Sequence, residues 1–197
     1  MQAEALVAES EELLCTLDDA DSFEANLMLL AQGLLALIAG DFDRAAGQFD
    51  TSLALGQALD AKAILSVTCA GLGEVAMAQG RVTDAADHYR DGVIQGWDGD
   101  YALGIVWNVH GLVRVGIRRG GRKAMARLIG ASAAFQGAIR ALPGAAVGAY
   151  EADIAMVRAA LGDEAFSEAQ EARQALSVAE VVAMAIALTD AVREAHT

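Results

Sequence analysis

The chain has 197 residues, 55% of them hydrophobic, 5% aromatic and 21% charged, with a formal net charge of −13. That is enough apolar side chain to bury a sizeable core, which excludes intrinsic disorder, and the acidity opposes nonspecific binding to nucleic-acid phosphates. With 44 alanines, 20 glycines and a single proline, Pro143, the strong helix formers outweigh the strand formers, and the predicted class is all-α.

Residues 2–17 read as an amphipathic helix with apolar positions at Leu6, Leu13, Leu14 and Leu17, ended by Asp18-Asp19-Ala20-Asp21-Ser22. This segment, 1–22, is expected to cap the helices that come after it. Residues 2–24 carry eight acids and no base, unlike a secretory leader with its basic start, so none is expected. The longest uncharged stretch, Ala25 to Gly40, has 16 residues, short of the roughly 20 a membrane span needs, and is expected to be a core helix. No membrane association is expected. Cys15 and Cys69 are far apart and form no metal-type or redox spacing; as reduced, buried thiols they point to a cytoplasmic location.

From residue 23 onward the chain repeats. Aligning Gly40, Gly80 and Gly120 superposes three helix–turn–helix patterns at an offset of 40 residues. Gly33 and Gly73 lie seven residues before the turn glycine, Ala45 and Ala85 five after it, Phe49 and Tyr89 nine after, and Ser52 and Gly92 twelve after. Small residues receive and the aromatic inserts, which is the tetratricopeptide pattern. The third unit is degenerate, with Val113, Met125, Ile129 and Ser132 at these places. Residues 23–142 are therefore predicted to form three tetratricopeptide-like helix pairs in a right-handed α-solenoid. The excess of 40 over the usual period of about 34 is assigned to longer connections such as Gln95 to Asp100. After Pro143, residues 143–197 are read as a closing cap of three helices near 145–161, 163–175 and 178–195. Gly162 stops the first, Asp163 caps the second, and Ser177 with Glu180 forms a capping box for the third.

Charge is partitioned unevenly: residues 1–60, 61–100, 101–142 and 143–197 carry −11, −3, +7 and −6. The basic island holds Arg114, Arg118, Arg119, Arg122, Lys123 and Arg127 around the Gly120-Gly121 turn. It is either a solvated turn or a docking patch for an acidic partner, including the acidic N-terminal part of this chain or of a second copy. In a tetratricopeptide array the first helix of each pair lines the concave groove. That register selects Leu27, Leu30, Leu34 and Leu37, then Val67, Ala70, Glu74 and Met77, then Trp107, His110, Arg114 and Arg118. Glu74 and Arg114 hold equivalent positions and are expected to pair, while Trp107 is either an interface anchor or core. Asp41, Asp43, Asp84 and Asp87 are assigned to first helical turns, where they favour the dipole. His88, His110 and His196 show no metal-ligand spacing, and no catalytic motif is found, so no cofactor is expected and the chain is read as non-enzymatic.

The segments Ala126-Arg127-Leu128-Ile129-Gly130-Ala131, Ala159 to Phe166 and Ala175 to Val182 resemble the C-terminal helical-repeat region of bacterial LuxR-type and AAA/STAND signal-transduction ATPases, a likeness spanning roughly residues 25–195. It implies a repeat arm that senses an inducer or partner protein and restrains an attached or partner ATPase module in transcription regulation. The chain departs from that family in having neither a G-x-x-x-x-G-K-[ST] run nor a helix-turn-helix reader, so direct nucleic-acid binding is not expected. Two other readings stand beside it: a self-associating scaffold or homodimer joining residues 114–127 to residues 1–60 of another copy, and a small-molecule sensor near Trp107 and His110.

Overall fold

A computed structural model describes residues 23–119, Leu128, 144–171 and 177–194. All of its regular structure is helical: α1 (Phe23–Ala39), α2 (Phe42–Ala58), α3 (Lys62–Ala78), α4 (Val82–Asp98), α5 (Ala102–Arg118), α6 (Gly144–Leu161), α7 (Asp163–Glu171) and α8 (Val178–Glu194). Consecutive helices pack on one another, and the first helices of successive pairs also touch, α1 with α3 and α3 with α5. α8 returns to pack on α4 and α5, and α6 packs on α5. Among the described residues no helix is long and apolar enough to cross a membrane.

The 40-residue period resolves into a half-period of 20. Each of α1 to α5 has 17 residues, and the connections after α2, α3 and α4 have three. The extra length therefore lies in the helices rather than in the connections, and Gln95 to Asp98, expected in a connection, are the last turn of α4. Each turn closes the same way, with one residue in the left-handed region and two backbone bonds back into the helix. Gly80 N–H donates to Met77 and Arg81 N–H to Ala76; Asp100 N–H donates to Trp97 and Tyr101 N–H to Gly96. Glycine fills this position within units, at Gly40 (φ 78°) and Gly80 (φ 76°), but aspartate does so between units, at Asp60 (φ 51°) and Asp100 (φ 50°). No atom would crowd a methyl group at Gly80, so Gly80→Ala tests backbone conformation alone. It is expected to lower stability by about 1 kcal/mol in a urea titration.

The core confirms the predicted slots and adds a second wall to each. Phe49 and Tyr89 are fully buried. A Cβ on Gly33 or on Gly71 would overlap the Phe49 ring, and one on Gly73 or on Gly111 would overlap Tyr89. Each second-helix aromatic is thus clasped between the first helix of its own unit and that of the next, 40 residues apart in every component. A polar ladder follows the same period. The Asn26 side chain lies 2.7 Å from Ser52 Oγ, which reaches Thr68 Oγ1 at 3.0 Å. One unit on, Ser66 Oγ donates to Gly92 O at 2.7 Å and Asn108 Nδ2 donates to Ser66 O at 2.9 Å. Because an unpaired polar group is costly when buried, these bonds fix how one helix is rotated against the next.

The described parts of the C-terminal helices match the expected boundaries, and the last expected turn of the second, 172–175, lies outside the described residues. Gly162 (φ 82°) separates α6 from α7, although Asp163 proves to be the first helical residue and not the cap. Ser177 and Glu180 form the reciprocal capping box, the Ser177 N–H donating to Glu180 Oε2 at 2.7 Å and the Glu180 N–H to Ser177 Oγ at 3.4 Å. The Ser177 N–H and the Ser177 hydroxyl, which donates to the same Glu180 oxygen at 2.8 Å, hold the Glu180 carboxyl below its ordinary range. Asp41 caps α2 by accepting from the Arg44 N–H at 3.2 Å, and Asp43 and Asp84 lie in first turns, whereas Asp87 lies beyond the first turn of α4. Cys69 is buried, and its thiol is pushed up to about 12 by desolvation and by the charge of Asp91, so it stays protonated and inert. The segment 1–22 with Cys15, His196, and the second helix of the third unit apart from buried Leu128 lie outside the described residues.

Candidate interaction face

The first helices α3 and α5 carry Glu74 and Arg114 at equivalent positions, and their contact sets the two side chains opposite one another. Arg114 Nη1 donates to Glu74 Oε2 at 2.9 Å and Nη2 to Glu74 Oε1, a two-pronged bridge between successive units. The Tyr89 hydroxyl, emerging from the clasped ring, donates to Glu74 Oε1 at 2.9 Å. Three helices are thereby tied at one point: α3 through Glu74, α4 through Tyr89 and α5 through Arg114. Sequence reasoning paired the two charges but treated Tyr89 as core only. The signal it passed over is that a Phe/Tyr difference at one repeat position places a hydroxyl where the neighbouring carboxylate stands.

Glu74 and Arg114 keep 33% and 30% of their side-chain surface in solvent, so the bridge is accessible as well as structural. Water screening limits what such a pair contributes. A double-mutant cycle of Glu74→Ala and Arg114→Ala is expected to give a coupling of about 0.5–1 kcal/mol that shrinks as salt is raised.

The other groove positions separate by depth. Met77 and His110 are buried, Met77 within the same core cluster as Val157, Phe166 and Val181. Trp107 is half-buried against a second cluster that contains Leu30, Phe49 and Val67. Arg118 is exposed, and Arg119 is half-buried with its Nη2 donating to Thr83 Oγ1 at 2.7 Å. Of the α1 row, Leu30 is buried, Leu34 and Leu37 are half-buried and Leu27 is exposed; Val67 and Ala70 of α3 are buried. The surviving accessible strip therefore runs over Glu74, Trp107, Arg114 and Arg118. Arg122, Lys123 and Arg127 of the basic island lie outside the described residues.

At the far end, between α6 and α7, an open depression of about 580 Å³ is lined by residues that include Glu151, Ile154, Arg158 and Asp163. Arg158 is engaged on two sides there, 4.9 Å over the Phe166 ring and 3.4 Å from Asp163. Among the described residues no three His, Cys, Asp or Glu side chains converge to hold a metal ion.

No protein-family model, curated protein or solved structure matches this chain.

Proposed function

We propose that the protein is a non-enzymatic helical-repeat interaction module of the cytoplasm, and that its partner docks across α3 and α5 on the strip formed by Glu74, Trp107, Arg114 and Arg118. In this reading the array is a right-handed α-solenoid with capped ends. It acts as the sensor or effector-binding arm of a bacterial transcriptional regulator of the LuxR or AAA/STAND kind, whose ATPase it restrains. The observation that carries the proposal is the alignment of Trp107, Arg114 and Arg118 on one face of α5 beside Glu74, with an indole, an ion pair and an exposed guanidinium presented together on interlocked helices. Rigid presentation lowers the ordering cost of binding, and Trp and Arg are the side chains that most often dominate protein interfaces.

Photo-crosslinking in cells tests the proposal. A photoreactive residue at Trp107 or Arg118 is expected to capture a discrete protein carrying a nucleotide-binding segment, whereas the same residue at exposed Thr51 on α2 is not. Equal adducts from all three positions, or none from the strip, would contradict it.

A further inference from the structure

Successive helices alternate in direction, so the turns of the first five fall on two edges of the stack. The turns between units share one edge with the start of α1. Packing fixes this placement: Gly56 lies against Asn26 and Leu65, Gly96 against Ile105, and Gly99 against Lys62 of the preceding turn. Three large apolar side chains stand exposed on that edge, Phe23 at 51%, Leu59 at 38% and Trp97 at 44%.

The charge of this edge is one-sided. Among the described residues it carries Glu24, Asp60, Asp98 and Asp100 against Lys62 alone. Lys62 Nζ lies 2.9 Å from Asp60 Oδ1, and its bond to Asp60 with the charges of Asp60 and Asp98 holds the lysine pKa above its ordinary value. The two turns therefore meet through their carboxylates. Asp60 and Asp100 occupy the left-handed backbone position at φ 51° and 50°, which glycine takes with less strain at Gly40 and Gly80. What the strain brings is a carboxylate beside each apolar side chain, Asp60 after Leu59, and Asp100 with Asp98 after Trp97. The opposite edge, where α2 and α4 begin and α5 ends, is mixed: Asp41, Asp43 and Asp84 stand there with Arg44, Arg81, Arg118 and Arg119, and Arg81 reaches Asp84 at 2.7 Å.

We infer that the edge formed by the turns between units docks a basic amphipathic helix of another protein, its apolar stripe covering Leu59 and Trp97 and its bordering lysines or arginines meeting Asp60, Asp98 and Asp100. Apolar side chains bordered by carboxylates complement a helix whose apolar stripe is bordered by cations. A second copy of the chain fits poorly, because it brings its own net charge of −13 towards an acidic edge. The surface shares no residue with the strip of Glu74, Trp107, Arg114 and Arg118, so its test stands whether or not that strip binds a partner.

Tryptophan fluorescence tests this in the full chain with Trp107→Phe, which leaves Trp97 as the sole tryptophan. The probe is a synthetic amphipathic helix of leucine and lysine. It is expected to move the Trp97 emission to the blue with saturation, whereas the same peptide with alanine for leucine is not. Asp60→Gly/Asp100→Gly keeps both turns, since glycine suits that backbone, and is expected to weaken binding about threefold to tenfold. Asp43→Asn/Asp50→Asn on α2 removes as much charge elsewhere and should leave the affinity unchanged. Circular dichroism shows that each variant is folded, and titration calorimetry on the unsubstituted protein gives the affinity without the Trp107→Phe change. Absence of binding, binding without a Trp97 shift, equal binding of the alanine peptide, or equal loss from the two pairs of aspartate substitutions would overturn the inference. So would a Trp97 shift that grows with protein concentration alone, which would mark self-association.

Discussion

Phe49→Ala is expected to lower the unfolding free energy by about 3–5 kcal/mol. The ring is fully buried and is enclosed by the backbones of two helices at Gly33 and Gly71. Glycine has no side chain with which to fill the space, so α1 and α3 can close the gap only by moving whole helices, and both are held by the Asn26, Ser52 and Thr68 contacts. Most of the cavity therefore persists. Urea unfolding followed by circular dichroism at 222 nm measures the loss. Tyr89→Phe provides the contrast in the next unit: it keeps the ring between Gly73 and Gly111 and removes the hydroxyl, which donates to Glu74 and accepts from Arg114 Nη2 at 3.4 Å, at a cost of about 1 kcal/mol.

Gly111→Ala has the second largest expected effect, and its sign is the informative part. In an ordinary helix interior this change gains about 1 kcal/mol through propensity. Here the new methyl group would overlap the Tyr89 ring, which is already packed against Gly73 of the preceding first helix. Overpacking of a filled core costs about 1–3 kcal/mol, so the substitution is expected to destabilise despite the propensity gain. Combining it with Tyr89→Leu, which vacates part of the slot, should cost less than the sum of the two single changes. Thermal or urea unfolding of the two single variants and the double variant measures that coupling; strict additivity would mean that the ring and the glycine do not share one space.

How much of this was legible from sequence depends on which interactions are local. The period, the turn glycines, and the small–large–small order at Ala45, Phe49 and Ser52 reflect the sterics of one helix against its partner, and they are written in residue size. The second glycine of each clasp, Gly71 or Gly111, belongs to the following unit. It becomes meaningful only when the levels of non-adjacent helices are known. The 20-residue half-period was hidden because Asp60 and Asp100 take the left-handed turn position that glycine marks at Gly40 and Gly80. The Glu74–Arg114 bridge was readable because both residues occupy one repeat position and bear opposite charge. The burial of Met77 and His110 was not, since groove register gives direction but not depth, and α8 and α6 return to pack on α4 and α5 from far along the chain.

Phe49 and Tyr89 are each held between glycines of two successive first helices, so that hairpin stacks on hairpin at a 40-residue step. Nuclear Overhauser spectroscopy on selectively labelled protein measures this directly. The Phe49 ring protons should show cross-peaks to the α-protons of both Gly33 and Gly71, and the Tyr89 ring protons to those of both Gly73 and Gly111, with the glycine signals displaced by the rings. Cross-peaks from each ring to the glycine of one helix only, or to none of the four, would contradict the stacked arrangement.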